Sequence, residues 1–127
     1  MPNLPNQKSK IQFNSPDQST LEIAAEHIIV EIIEYMPNAV VSRTIIKKTT
    51  GNITAMSLYQ GEELAEKISP FDTYIQIIHG NAQITIDKKV HHLPLGSGII
   101  IPAHSLHHFF AQEQFKMIST VIRSGYE

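Results

Sequence analysis

The stretch Gly96-Ser97-Gly98-Ile99-Ile100-Ile101-Pro102-Ala103-His104-Ser105-Leu106-His107 joins a turn glycine, a short apolar strand, a proline corner and one histidine able to face inward. Glycine and proline punctuate the chain, and three consecutive isoleucines favour the extended backbone, so the stretch reads as the rim of a small β-barrel. On either side the same alternation of strand and turn continues. Runs of β-formers predict strands over 40–46, 53–59, 73–78, 82–87, 90–93, 99–101, 107–111 and 115–122. Turn residues separate them at Thr50-Gly51-Asn52, Gly61, Ser69-Pro70, His79-Gly80-Asn81 and Pro94-Leu95-Gly96. Asp87-Lys88-Lys89 must close a hairpin without glycine, which requires Lys88 to take a left-handed or longer-loop geometry.

Upstream of the strands, residues 1–16 carry Pro2, Pro5 and Pro16 and no period, and are expected to form a flexible or surface-lying arm. Ser19-x-x-Glu22 fits a capping box, and Leu21, Ala24, Ala25, Ile28, Ile29, Ile32 and Ile33 recur at helical spacing until Pro37. An amphipathic helix over about 20–34 is therefore predicted, giving an arm (1–16), a helical segment (17–36) and a barrel (37–127).

A chain of 127 residues with 42% apolar and 17% charged residues is one globular domain. A formal charge of -2 offers no attraction to phosphate backbones or anionic membranes, so neither nucleic acid nor membrane is an expected partner. The absence of cysteine rules out disulfides and thiolate metal sites. Lys8 and Lys10 are not followed by an apolar run of the secretory type, and a cytoplasmic location is expected.

The punctuation from residue 40 to 124 resembles the two signature motifs of the cupin superfamily. The first, G-x5-H-x-H-x3-E-x6-G, falls on Gly61, Lys67, Ser69, Thr73 and Gly80. Both glycines are in register and all three metal-ligand positions are replaced. The second, G-x5-P-x-G-x2-H-x3-N, falls on Gly96, Pro102, His104, His107 and Ala111: glycine, proline and histidine stand, while His104 replaces the second glycine and Ala111 the asparagine. Ser69-Pro70-Phe71-Asp72, Pro102-Ala103 and Phe115-Lys116-Met117 also resemble a subgroup of small single-domain cupins, which usually has histidine where this chain has Lys67. The resemblance implies an all-β, cupin-type jelly-roll barrel with the N-terminal amphipathic helix appended.

The matched position implies that His107 points into the barrel. Parity then puts Phe109 and Ala111 beside it, with Lys67, Ser69 and Thr73 facing from the other sheet and Ser57 and Tyr59 nearby. A lysine ammonium has no lone pair and adds positive charge, and hydroxyls are weak ligands for Zn or Fe, so no metal and no other cofactor is expected. The favoured function is a binding module holding a small molecule, such as an anionic sugar or keto acid, against Lys67, Ser69, Thr73, Tyr59 and His107. The alternative is an isomerase or lyase with His107 as catalytic acid or base, without a metal or with one divalent ion recruited through His107. The apolar faces of arm and helix predict a homodimer.

Overall fold

The computed structural model describes residues 21–123. Among the described residues nine strands run in chain order: β1 (Val40–Lys48), β2 (Gly51–Leu58), β3 (Glu63–Ile68), β4 (Asp72–Gly80), β5 (Ala82–Ile86), β6 (Lys89–Leu93), β7 (Gly98–Ile101), β8 (Leu106–Phe110) and β9 (Phe115–Ile122). They form two facing antiparallel sheets, one ordered β1-β2-β9-β4-β7 and the other β3-β8-β5-β6. This is the jelly-roll expected from the sequence.

Alternation along each strand builds the core. Leu58, Ile75, Ile77, Ile84, Phe109 and Phe115 are buried between the sheets. The eight expected strands are all present, and Ile86 pairs with Lys89 across a two-residue turn in which Asp87 and Lys88 both have positive φ, 47° and 72°. That is the left-handed geometry the glycine-free hairpin demanded; it matches the right-handed twist of the flanking strands.

Strand β3 has no counterpart in the sequence reading. Its residues, Glu-Leu-Ala-Glu-Lys-Ile, are half charged and mostly exposed. Its pairing with β8 also skips: Leu64 lies opposite Phe109 and Lys67 opposite His107, so three steps on β3 match two on β8. This bulge puts Leu64 and Lys67 on the same face, which strict alternation forbids.

The predicted helix does not form over its described part. Positions 17–20 lie outside the described residues, as does the arm; from Leu21 to Tyr35 the helical content is a single 3-10 turn, Ile29–Glu31. Backbone carbonyls that a helix would use internally are instead taken by side chains of the larger sheet. Lys116 Nζ donates to Val30 O at 2.8 Å, Arg43 Nη1 to Ile32 O at 2.9 Å and Ser57 Oγ to Glu34 O at 2.8 Å. Acceptors two residues apart are reached from β9, β1 and β2 in turn, which holds the segment across the outer face of the sheet. Ile32 and Ile33 are buried there with Val41, Ala55 and Ile118. The β-branched isoleucines that suggested a helical stripe suit this non-helical segment equally well.

Candidate functional site

At one end of the sandwich the sheets enclose a cavity of about 370 Å³, whose lining includes Lys67, Ser69, Thr73, His107, Ser119 and Arg123. Each of these positions follows from the strand carrying it. Thr73 pairs with Ile101 on β7 and with Val121 on β9, which fixes it at the cavity end of the larger sheet. Ser119 occupies the same inward row of β9 as Met117 and Val121. Ser69 follows β3; its hydroxyl accepts from Phe71 N at 3.1 Å and its carbonyl from His104 N at 2.7 Å, tying the mouth to the β7–β8 loop.

Of the residues proposed from sequence, Lys67, Ser69, Thr73 and His107 therefore meet in one cavity. Tyr59 is not among its lining residues. Leu58, just before it, pairs with Phe115 at the opposite, packed end of β9, so the strand delivers Tyr59 away from the mouth. Ser57 is also misplaced by the sequence reading: it faces outward and holds the N-terminal segment. Phe109 and Ala111 share the interior with His107, as parity implied.

His107 is only 4% exposed. Its Nδ1 lies 3.3 Å from the carbonyl of Ser105 and its ring meets Phe109 edge-on, with centroids 6.3 Å apart. Burial pushes its pKa below the ordinary 6.5, and the nearby Lys67 ammonium pushes the same way against the opposing Ser105 carbonyl and Asp87. The imidazole is thus neutral at pH 7. With the Nδ1 proton directed at Ser105, Nε2 carries the lone pair, able to accept a hydrogen bond or a proton.

His104, where the motif has glycine, adopts φ 69°. The loop has kept the left-handed backbone that a glycine position implies, and a histidine carries it there at a steric cost. At Gly80, the motif's other strand-end glycine, φ is +75° and a Cβ would lie 2.3 Å from Gln114 O, so no side chain fits.

Two polar lining residues escaped the sequence reading. Ser119 lies in β9, outside both motifs. Arg123 follows β9 at the chain's end; its backbone N–H donates to Thr50 O at 2.7 Å and its guanidinium sits 5.7 Å from the Phe71 ring centroid. Inward parity along β9 was the signal for Ser119, while nothing local in the sequence distinguishes Arg123 from a solvated terminal cation.

The lining thus holds two cations, three hydroxyls, one neutral imidazole and, among the described residues, no carboxylate. No group of three or more His, Asp or Glu side chains converges among the described residues either. One imidazole beside a lysine ammonium is a poor donor set for a divalent ion, which needs about three or four lone-pair ligands from the protein.

A two-sheet jelly-roll with a polar cavity opening at one end defines a cupin-type barrel, and comparison with solved structures gives the same answer. A conserved protein of unknown function from Streptococcus pyogenes is 30% identical, covering 81% of this chain and 90% of that one, with a TM-score of 0.77. A cupin superfamily protein from Desulfitobacterium hafniense is 26% identical over 80% of this chain and 94% of that one, with a TM-score of 0.76. A cupin 2 conserved barrel domain protein from Leptotrichia buccalis is 28% identical over 73% of this chain and 45% of that one, with a TM-score of 0.71. The chain belongs to the cupin superfamily. No protein-family model and no curated protein matches it. Among the described residues no helix is long and apolar enough to cross a membrane.

Proposed function

We propose that this protein is a metal-free binding module that holds a small organic anion, of the size of a keto acid or sugar acid, in the open end of its barrel. The observation that carries the reading is the pairing of Lys67 and Arg123 at one cavity whose described lining has no carboxylate. Lys67 and Arg123 are both exposed at the rim, so their like charges set up a positive, solvent-screened field at the cavity mouth that favours entry of an anion. The hydroxyls of Ser69, Thr73 and Ser119 supply orienting hydrogen bonds, and neutral His107 accepts one through Nε2.

A second reading, an isomerase or lyase acting on the same anion, draws on the buried neutral imidazole, which is the protonation state a general base needs. His107→Gln separates the two: it abolishes turnover in an enzyme and only changes affinity in a binding module. The homodimer and the cytoplasmic location expected from the sequence belong to the same proposal. Exposed Tyr74, Ile100 and Ile122 on the outer face of the larger sheet support the dimer, which requires a light-scattering mass near twice 14.3 kDa.

Native mass spectrometry with elemental analysis on untagged protein tests the central reading. The expected result is a retained organic acid that dissociates on denaturation, without stoichiometric metal. One divalent ion per subunit overturns the metal-free site.

A further inference from the structure

The cavity is not uniformly polar. Its charged and hydroxyl groups stand at the mouth and around His107, whereas Met56, Leu64, Ile75, Ile101, Phe109 and Met117 form a continuous apolar part of the wall and carry no hydrogen-bonding group beyond thioether sulfur. Four of these, Ile75, Ile101, Phe109 and Met117, belong to the buried core, so the cavity floor is the core itself. We infer that the ligand is an amphiphilic monocarboxylate, with its carboxylate between Lys67 and Arg123 and an aromatic or branched aliphatic body against this floor. The inference rests on reading the cavity as an anion site and narrows the anion's class.

Three features argue for it over a sugar acid. A sugar's hydroxyls would lose water on entering the apolar part and find no partners there, whereas a hydrocarbon body gains from the same transfer. Met56 and Met117 at two wall positions are unbranched and polarisable, and their thioethers suit contact with a flat ring or a branched chain. The mouth provides one planar fork and one point charge: the Arg123 guanidinium, lying over Phe71, can grip a carboxylate through two parallel N–H···O bonds while Lys67 neutralises it from the other sheet. The volume of about 370 Å³ lies at the small end of the range for ligand cavities, roughly 300–1,000 Å³.

Three probes divide the claim: 3-phenylpropionate, its neutral amide 3-phenylpropionamide, and gluconate, which keeps the charge and replaces the apolar body with hydroxyls. Dissociation constants are measured by calorimetry on the full chain and on Lys67→Gln and Arg123→Gln. The expected result is 3-phenylpropionate binding at least roughly tenfold tighter than either other probe, each substitution weakening it about tenfold and leaving the amide unchanged. Affinity for 3-phenylpropionate in the unsubstituted protein should also fall with added salt, which reads the same charge without any variant. Gluconate binding tighter than 3-phenylpropionate overturns the apolar body while leaving the anion site standing. Equal binding of acid and amide, or no binding of any probe, overturns both.

Discussion

The two ends of this barrel are made by the same strands, and their inward rows differ in one direction. On β9 the row runs Phe115, Met117, Ser119; on β4 it runs Ile77, Ile75, Thr73; on β8 it runs Phe109 then His107; and on β3 it runs Leu64 then Lys67. At one end these rows interlock as core, and at the other the same geometry leaves a cavity lined by cations and hydroxyls. Folding needs the first end. It does not need a threonine, a serine and a histidine at inward positions where isoleucine or phenylalanine would bury more apolar surface, so the polar end is where the fold gives up stability for function.

Breaking the packed end should have the largest effect. Phe115 has 0% exposure and touches both sheets' core residues, so Phe115→Ala should cost about 3–5 kcal/mol in urea unfolding. Ser119→Ala, two inward positions away at the cavity end, should stay within about 1 kcal/mol. Comparable losses at both positions would erase the contrast between the ends.

Next in size is the outer face, where Lys116 is only 8% exposed and caps the Val30 carbonyl while lying 5.1 Å from the Tyr35 ring centroid. Lys116→Met removes the donor and leaves that carbonyl unpaired, costing about 1–3 kcal/mol. Faster hydrogen exchange in the segment around Ile32 and Ile33, with the cavity's ligand affinity unchanged, is the accompanying outcome. Tyr35 is half-buried beside the same cluster: burial, reinforced by Glu113, pushes its hydroxyl up to about 12, and the hydroxyl and His79 Nδ1 share a hydrogen bond of 2.6 Å.

A smaller effect appears in the pH dependence of stability. The folded-state pKa of His107 is lowered, so the unfolded chain binds the proton more readily. No contribution arises well above 6.5, where both states are neutral. Stability is then lost as pH falls through the unfolded value of 6.5 and on toward the folded one. His107→Gln should flatten this part of the curve, as followed by urea midpoints across the window. An unchanged slope would remove burial as the force that keeps the imidazole neutral.

The smallest effect concerns the loop between β7 and β8. His104→Gly relieves a φ of 69° and should raise stability by about 0.5 kcal/mol, the steric gain being partly offset by the entropy of the freer unfolded chain. A loss of stability instead would mean that the imidazole contributes contacts that outweigh the strain.

What was legible in the sequence follows the same division. Strands β2, β4 and β9 announce themselves because β-branched residues alternate or run together between strong turn signals, and the spacing of Gly61, Gly80, Gly96 and Pro102 carries the frame of the family. Lys67, Ser69, Thr73 and His107 could be assembled from that frame because they occupy its ligand positions. Strand β3 was hidden by its charges and its bulge, which breaks the period by which strands are read. The segment around Ile32 defeated the reading for a different reason. Isoleucines at helical spacing describe an apolar stripe but not what competes for the backbone, and donors 11, 23 and 86 residues away decide that competition. Arg123 was invisible because its role depends on where the end of β9 meets the start of β4, a long-range fact.

The most direct test of the functional end is a backbone-amide NMR titration of the full chain with 3-phenylpropionate. Saturable shifts clustered at Lys67, Thr73, His107, Ser119 and Arg123, with Ile32, Ile33 and Ala55 on the outer face unmoved, are predicted. An absence of saturable shifts, or shifts confined to the outer face, would contradict a ligand-binding cavity at the open end of the barrel.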